Sequence, residues 1–370
     1  MNRVLGIALA VVLALGVIAA IVISYTQSQS HKTAGANVVT VHGVIGSEKL
    51  PFFQDQDVIA EFRAHGFDVQ VDTAGSRQIA TTVDLSKYDF AFPAGEPAAV
   101  KIQQDHHAKA TYIPFFTPMA IATFTDIVNL LKSINVVTTS GGVQVLDVKA
   151  FLAIVAQNKR WTDIANNTTY PAGKSIYVTS TDPNTSNSAA MYISLASYVA
   201  NGNNVVQDAT QAHAVAPAIA PLFTRQGFTL SSTDAPFEDY LTIGIGKDPM
   251  VMIYEAQFLA REAAKDKAIT SGGRTMIYPS PTVYSKHTLV PLDTNGDAIG
   301  RLLMNDSKLQ SLAIKYGFRT SDAAAFNKFL TDRGVTPPPP LVNVIDPPTY
   351  ANLEALIAAV AAVQSQAKGG

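Results

Sequence analysis

From residue 37 onward, short apolar runs alternate with amphipathic stretches. The run 37–45 (Asn37-Val-Val-Thr-Val-His-Gly-Val-Ile45), the alternating run 67–72 and the run 88–92 (Tyr88-Asp-Phe-Ala-Phe92) read as strands. Each passes through a short polar loop into a helical pattern. Helices are predicted over 55–65, where Gly66 stops the chain, over 78–83, and after Pro97. Strand, loop and helix repeated three times imply βαβ units on a parallel sheet. Ligands of such sheets bind outside the carboxyl ends of the strands. The loops at those ends carry Ser47 and the pair Ser76-Arg77.

The pattern then changes. Residues 110–124 are apolar, interrupted by Pro114 and Pro118, and are expected to cross into a second region. Helices follow over 127–134 and 148–157, separated by the Gly141-Gly142 break. A β-rich run over 175–179 ends at Asp182-Pro183, and an alanine-rich helix runs on to about residue 200. Beyond it come a helix over 214–225, a loop to Tyr240, an apolar strand over 249–255 and a helix over 257–267. A second crossing strand is expected over 274–279, then helices over 302–317 and 323–334. The 337–340 prolines make a stiff spacer before a last helix over 349–364. Two crossings divide the chain into a lobe of 38–122 with 276–335 and a lobe of 123–275. Residues 336–370, the spacer and last helix, are expected to pack on the first lobe.

Between the 175–179 strand and its helix stand Asn184, Thr185, Ser186, Asn187 and Ser188. These residue types cap helices because their side-chain oxygens accept from the first unpaired N–H groups. Such a start offers hydroxyls, free donors and the positive end of a helix dipole, which suit an anion or a polar ligand. The plainer reading is a capped helix and nothing more. The similar turns at Ser47 and at Ser76-Arg77 weigh against it.

Residues 4–24 carry no charge and are long enough to span the ~30 Å of a bilayer core. Arg3 precedes them, so the positive-inside rule sends the bulk of the chain outward. A cleavable signal peptide would have a shorter apolar core closely followed by a small-x-small site, whereas Ala34-Gly35-Ala36 lies ten residues past this run. Residues 1–25 are therefore expected to be a retained anchor and 26–37 a flexible tether. The near-even balance of 27 basic and 29 acidic residues argues against a nucleic-acid partner. The absence of cysteine excludes disulfides and thiol chemistry. No G-x-S-x-G or H-E-x-x-H motif is present, and the run 293–297 departs from the spacing of a calcium loop. No enzyme activity, metal or cofactor is expected.

Several segments together resemble the type II extracytoplasmic solute-binding proteins, in particular their molybdate- and phosphate-binding branches. They are the Gly46-Ser47 turn, the run Ala74-Gly-Ser-Arg-Gln-Ile79 followed by 88–92, Lys159-Arg-Trp-Thr-Asp-Ile164, the 181–188 loop and Val251-Met-Ile-Tyr-Glu-Ala-Gln257. The resemblance covers about 38–330 and rests on their combination. It implies an α/β fold of two lobes joined by a two-strand hinge. It also implies a cleft lined by Ser47, Ser76, Thr185, Ser186, Asn187 and Ser188, with Tyr254 and Glu255 at the end of an apolar strand. Arg77 either grips an anion, lies on the surface, or forms an interlobe ion pair with Glu255 or Asp182. The implied function is capture of a small polar or anionic solute; the family is usually released or lipid-anchored, whereas the expected helical anchor places this chain on the outer face of a bacterial cytoplasmic membrane. The implied partners are an ABC-type permease or envelope proteins, and the solute is either delivered for uptake or sensed in place. The alternative is a degenerate binding fold serving as a structural or interaction module of the envelope.

Overall fold

The computed structural model describes residues 38–226 and 229–369. The expected anchor and tether lie outside the described residues. Among the described residues, no helix is long and apolar enough to cross a membrane.

Strand β1 (Val39–Ile45) leads through the Gly46-Ser47 turn to α1 (Gln56–Ala64). Asp55 caps α1 by accepting from Asp57 N at 2.8 Å, and Gly66, at φ +85°, turns the chain into β2 (Phe67–Thr73). Then follow α2 (Ser76–Thr81), β3 (Phe90–Phe92) and α3 (Glu96–Asp105). β1 and β3 pair in parallel, as the repeated strand–helix pattern requires. The core of this half is aromatic: Phe52, Phe53, Phe62, Phe90, Phe92 and Phe115 are all buried in one cluster.

β4 (Tyr112–Phe124) is the first crossing. Its residues from Tyr112 to Pro118 pair with β9, and those from Met119 to Phe124 pair with β7 and β8, so a single strand serves both halves. The second half contains α4 (Thr125–Ser133), the hairpin of β5 (Val137–Ser140) and β6 (Val143–Asp147), and α5 (Val148–Ala156). The hairpin was not expected; the Gly141-Gly142 break, with both glycines at positive φ, is its turn. Next come α6 (Asn187–Ala200), α7 (Ala209–Ile219), α8 (Asp234–Thr242), β7 (Met250–Tyr254) and α9 (Glu255–Ala263). α6 is buried from Asn187 to Ser197, enclosed by α5, α7 and β7.

Four expectations are corrected. The 175–179 run is not a ladder strand. Upstream, Lys174 O and Ser175 pair with residues 160–161, and downstream only Thr179 bonds to β7 before Asp182-Pro183 turns the chain away. The loop expected before Tyr240 is largely α8. Pro236 sits in its first turn, where its missing N–H costs nothing, and Phe237, Tyr240 and Leu241 recur at helical spacing on its buried face. The second crossing is longer than expected: β8 (Arg274–Ser280) is followed by β9 (Thr282–Pro291), which carries the pairing to β4 and β3. The helix expected over 302–317 is two helices, α10 (Thr294–Asn305) and α11 (Ser307–Lys315), because Asp306 accepts from Lys308 N and Leu309 N and starts a new one.

After α12 (Ala323–Asp332), the short strand β10 (Val344–Ile345) pairs in parallel with the start of β9. The last helix, α13 (Tyr350–Gly369), does not dock where the spacer suggested. Leu353, Leu356, Ile357 and Val360 bury themselves in the same core as α6 and α7, and the helix touches α3 only at its edge. Its apolar face matches the alanine-rich surface those two helices present.

Candidate functional site

The starts of four helical segments meet. They are the 3-10 turn Ser47–Lys49, α2, α6 and α8, the first two from the first half and the others from the second. Around their meeting point lies a cavity of about 10 Å3, lined by Ser47, Ser76, Ser186, Ser188 and Ser232, with Tyr254 as a wall. That is the space of a single water molecule's sphere.

The two halves touch closely here. Arg77 N donates to Thr185 O at 3.2 Å. A Cβ at Gly75 would overlap that same carbonyl, and one at Gly95 would overlap Asn187 Oδ1. These two glycines are needed for approach, not for backbone freedom.

The lining hydroxyls are bonded across the gap and to one another. Ser47 Oγ lies 2.7 Å from Ser232 Oγ, linking the halves. Ser76 Oγ accepts from Ala94 N at 2.8 Å. Thr181, Ser186 and Ser188 form a triangle of hydroxyls with sides of 2.7, 2.8 and 3.0 Å. Asn187 Nδ2 donates to Tyr254 Oη at 3.1 Å and to Ser285 Oγ at 3.2 Å. Burial, and the carboxylate of Glu48 nearby, push the Tyr254 phenol up, so it stays protonated and able to donate. The first N–H groups of each helix have no partner within it and carry the positive end of the helix dipole. The chamber is therefore polar, rich in donors and poor in formal positive charge.

One formal charge does face it. Glu48 lines the chamber, in contact with Lys49, and His287 Nδ1 lies 3.4 Å from its Oε1. Burial works to raise the Glu48 carboxyl, but Lys49 and His287 outweigh it and hold it at about 2. Burial pushes the Lys49 ammonium down and Glu48 opposes that push. Lys49 Nζ lies 3.2 Å from His287 Nδ1, and burial together with the Lys49 charge lowers His287 to about 4. The cluster is an ion pair with a neutral imidazole, and its net charge is zero.

Of the expected residues, Ser47, Ser76, Ser186, Asn187, Ser188 and Tyr254 come together on the chamber wall. Three do not. Thr185 contributes its carbonyl to Arg77 N, and its hydroxyl turns back to Asp182 O. Arg77 is paired with neither Glu255 nor Asp182. Its Nε donates to Asn184 O and its guanidinium meets Glu354 of α13. Glu255 points away from the cleft, held by two bonds of 2.8 Å from Arg319 and one of 2.9 Å from Tyr278 Oη. Tyr254 ends β7 and Glu255 begins α9, and of the two only Tyr254 lines the chamber.

Ser231, Ser232, Thr233, Glu48, Lys49 and His287 were missed. The run Ser231-Ser-Thr-Asp234 ahead of helically spaced Phe237, Tyr240 and Leu241 is a helix-start signature and would have disclosed the first three. Nothing in the local sequence joins Lys49 to His287. Asp293, at the head of the suspected calcium loop, caps α10 by accepting from Gly296 N at 2.9 Å. Glu61, His65 and Asp306 bring possible metal-ligating atoms within 4.8 Å of one another, away from the chamber, with Lys308 paired to Glu61.

No protein-family model and no curated protein matches the chain. Solved structures do. The sulfate-binding protein SubI from Mycobacterium tuberculosis H37Rv aligns at a TM-score of 0.54 and 17% identity, covering 85% of this chain and 96% of that one. A periplasmic thiamin binding protein aligns at 0.51 and 10% identity, over 90% of this chain and 98% of that one. Iron-bound HitA from Pseudomonas aeruginosa aligns at 0.51 and 11% identity, over 89% and 99%. The chain shares their two-lobed α/β fold, the fold of type II periplasmic solute-binding proteins.

Proposed function

We propose that this chain is an extracytoplasmic solute-binding protein that captures a small polar or anionic solute between its halves by hinge closure. The captured solute passes to an ABC-type permease or is sensed in place. One observation carries the reading: four helix starts, two from each half, bring Ser47, Ser76, Ser186, Ser188 and Ser232 to one point between the halves. Donors so placed can hold an oxyanion without a full countercharge. A site built half on each lobe is complete only when the halves meet, so ligand favours the closed state. The sulfate-binding, thiamin-binding and iron-bound proteins of this fold are consistent with it. The uncharged run 4–24 would hold the protein at the outer face of the membrane.

The test is titration of the full chain with sulfate, phosphate, molybdate, tungstate, amino acids and sugars, read by thermal shift and calorimetry. A true ligand at 100 times its dissociation constant adds about 2.7 kcal/mol to stability. Ser76→Leu and Ser188→Leu should abolish the effect while the far-UV spectrum stays unchanged. Membrane retention is checked separately: an anchored chain stays in the pellet after an alkaline carbonate wash, and a cleaved one does not.

A second reading is favoured by one observation. The chamber hydroxyls already bond one another and leave room for about one water. A binding fold that had become a structural or interaction module of the envelope would look the same. It predicts that both leucine variants leave function intact and that none of the solutes shifts the melting point.

A further inference from the structure

Beside the serine chamber lies a second cavity of about 350 Å3, and Glu48 and Tyr254 line both. The chamber alone has no room for the body of an organic molecule, whereas about 300–1,000 Å3 is the range of small-molecule sites. The larger cavity lies between α8 and α9 on one side and the segment around Tyr316 and Phe318 on the other.

Its walls have two characters. Phe237, Tyr254, Tyr316 and Phe318 supply aromatic surface, and Ala256 and Ala260 of α9 supply a small apolar floor. Set into this surface are three carboxylates, Glu48, Asp234 and Glu238. Arg261 is the one cation among the described residues of the wall, and it is already engaged by Glu238 and, at 2.9 Å, by Asp266. Asp234 has no such partner. Its Oδ2 accepts from Ser232 Oγ at 2.8 Å and its Oδ1 from Gln257 Nε2 at 3.1 Å, both neutral donors. No cation lies within ion-pair distance of it among the described residues. Ser232 in turn bonds Ser47, so a continuous hydrogen-bonded path runs from the chamber to Asp234.

We propose that the ligand is an organic ammonium compound. Its apolar body fills the larger cavity, its nitrogen sits against Asp234, and an oxyanion or hydroxyl at its other end reaches the serine chamber. This deepens the function proposed above and rests on it. A carboxylate without a counter-charge beside apolar surface favours a cation that also satisfies its lone pairs. The aromatic faces add attraction for that cation, which primary and quaternary ammonium groups share. The unpaired Asp234 carboxylate disfavours a purely anionic organic solute. Helix starts at the chamber favour negative or hydroxyl character at the opposite end, so the two ends of the site select opposite ends of one molecule.

The experiment is calorimetric titration of the full chain with phenethylamine, benzyltrimethylammonium and 4-(aminomethyl)benzoate. Phenylacetate and benzyl alcohol serve as anionic and neutral controls, and sulfate and phosphate as chamber probes. At least one ammonium probe should bind tenfold or more tightly than both aromatic controls. Asp234→Asn should erase that preference, and Ala260→Trp, which fills the cavity from its floor, should abolish binding of the aromatic probes. Ala260→Trp should leave sulfate or phosphate binding within threefold, and it decides the question if the Asp234 variant does not fold. Ammonium probes that bind no better than the controls, or a preference that survives Asp234→Asn, overturn the inference. If an oxyanion binds and is lost in Ser188→Leu while no ammonium probe binds, the chamber reading stands and this one falls. If no probe of either kind binds, both fall.

Discussion

The guanidinium of Arg77 lies 2.5 Å from Oε1 of Glu354, which ties the start of α2 in the first half to the last helix of the chain. Arg77 is buried, while the Glu354 side chain keeps 38% of its exposure. The rest of α13 packs on α6 and α7 of the second half, and β10 pairs with hinge strand β9. The tail therefore spans both halves, and any motion that parted them would strain or break its contacts.

Removing the acid of that pair leaves a buried guanidinium with the Asn184 carbonyl and the face of the Tyr350 ring, 6.0 Å away. Because Glu354 is partly solvated, Glu354→Ala should cost about 1–2 kcal/mol, less than a fully buried pair. The double variant Arg77→Met with Glu354→Met should recover most of that loss. Urea unfolding of the three proteins checks it; a loss under ~0.3 kcal/mol in the single variant means the contact carries no weight.

Glu255 is fully buried and accepts three bonds, two of them from Arg319. Glu255→Ala strands the Arg319 charge and leaves Tyr278 without its acceptor. A loss of about 3–5 kcal/mol is expected. Arg319→Met should also destabilise strongly. Solute affinity of any variant that still folds should be unchanged, since Glu255 faces away from the chamber; a specific loss of affinity in a stable variant would return Glu255 to the site.

Acid sensitivity follows from the buried cluster. His287 is lowered from 6.5 to about 4, so the unfolded chain takes up its proton first, and stability falls as pH drops from about 6.5 to 4. Glu48 is lowered from 4.5 to about 2, so its contribution is present above about 4.5 and is lost as pH falls toward 2. The two windows adjoin and act in the same direction. The upper one amounts to on the order of 2–3 kcal/mol. His287→Phe, placed among the rings of Phe115, Tyr254 and Phe318, should flatten the pH 6.5 to 4 limb and weaken the lower one, since His287 helps hold the Glu48 carboxyl down. Unfolding free energies measured from pH 7 to 3 decide this, and a wild-type curve that is flat above pH 4.5 would contradict it.

Gly75→Ala places a methyl group against the Thr185 carbonyl, where backbone meets backbone across the two halves. Neither half loses internal packing, so the melting point should change little. The closed state should be disfavoured and affinity for any chamber ligand should fall by roughly tenfold, equivalent to about 1.4 kcal/mol. Small-angle scattering should show a more open particle that no longer compacts with ligand.

Much of the architecture was legible because it is written in local periodicity. The three strand–helix repeats, both crossings and the start of α6 follow from residue spacing and from turn residues such as Gly66 and Asp182-Pro183. The serine-bearing loops could be nominated because polar caps at strand ends carry a local signature. Distances across the chain carry none. Lys49 meets His287, Arg319 meets Glu255 and Arg77 meets Glu354 only because the hinge and tail bring separate segments together. A serine cap, a helix start and an apolar stripe are short-range properties, set by backbone stereochemistry and side-chain type within one or two turns. Which charge finds which partner, and whether a cap faces solvent, a core or an opposing cap, depends on long-range packing. That is why the sequence by itself determined the hydroxyl-bearing helix starts, while only the tertiary structure decided that Arg77 and Glu255 serve the scaffold and that Asp234 stands unpaired beside a cavity.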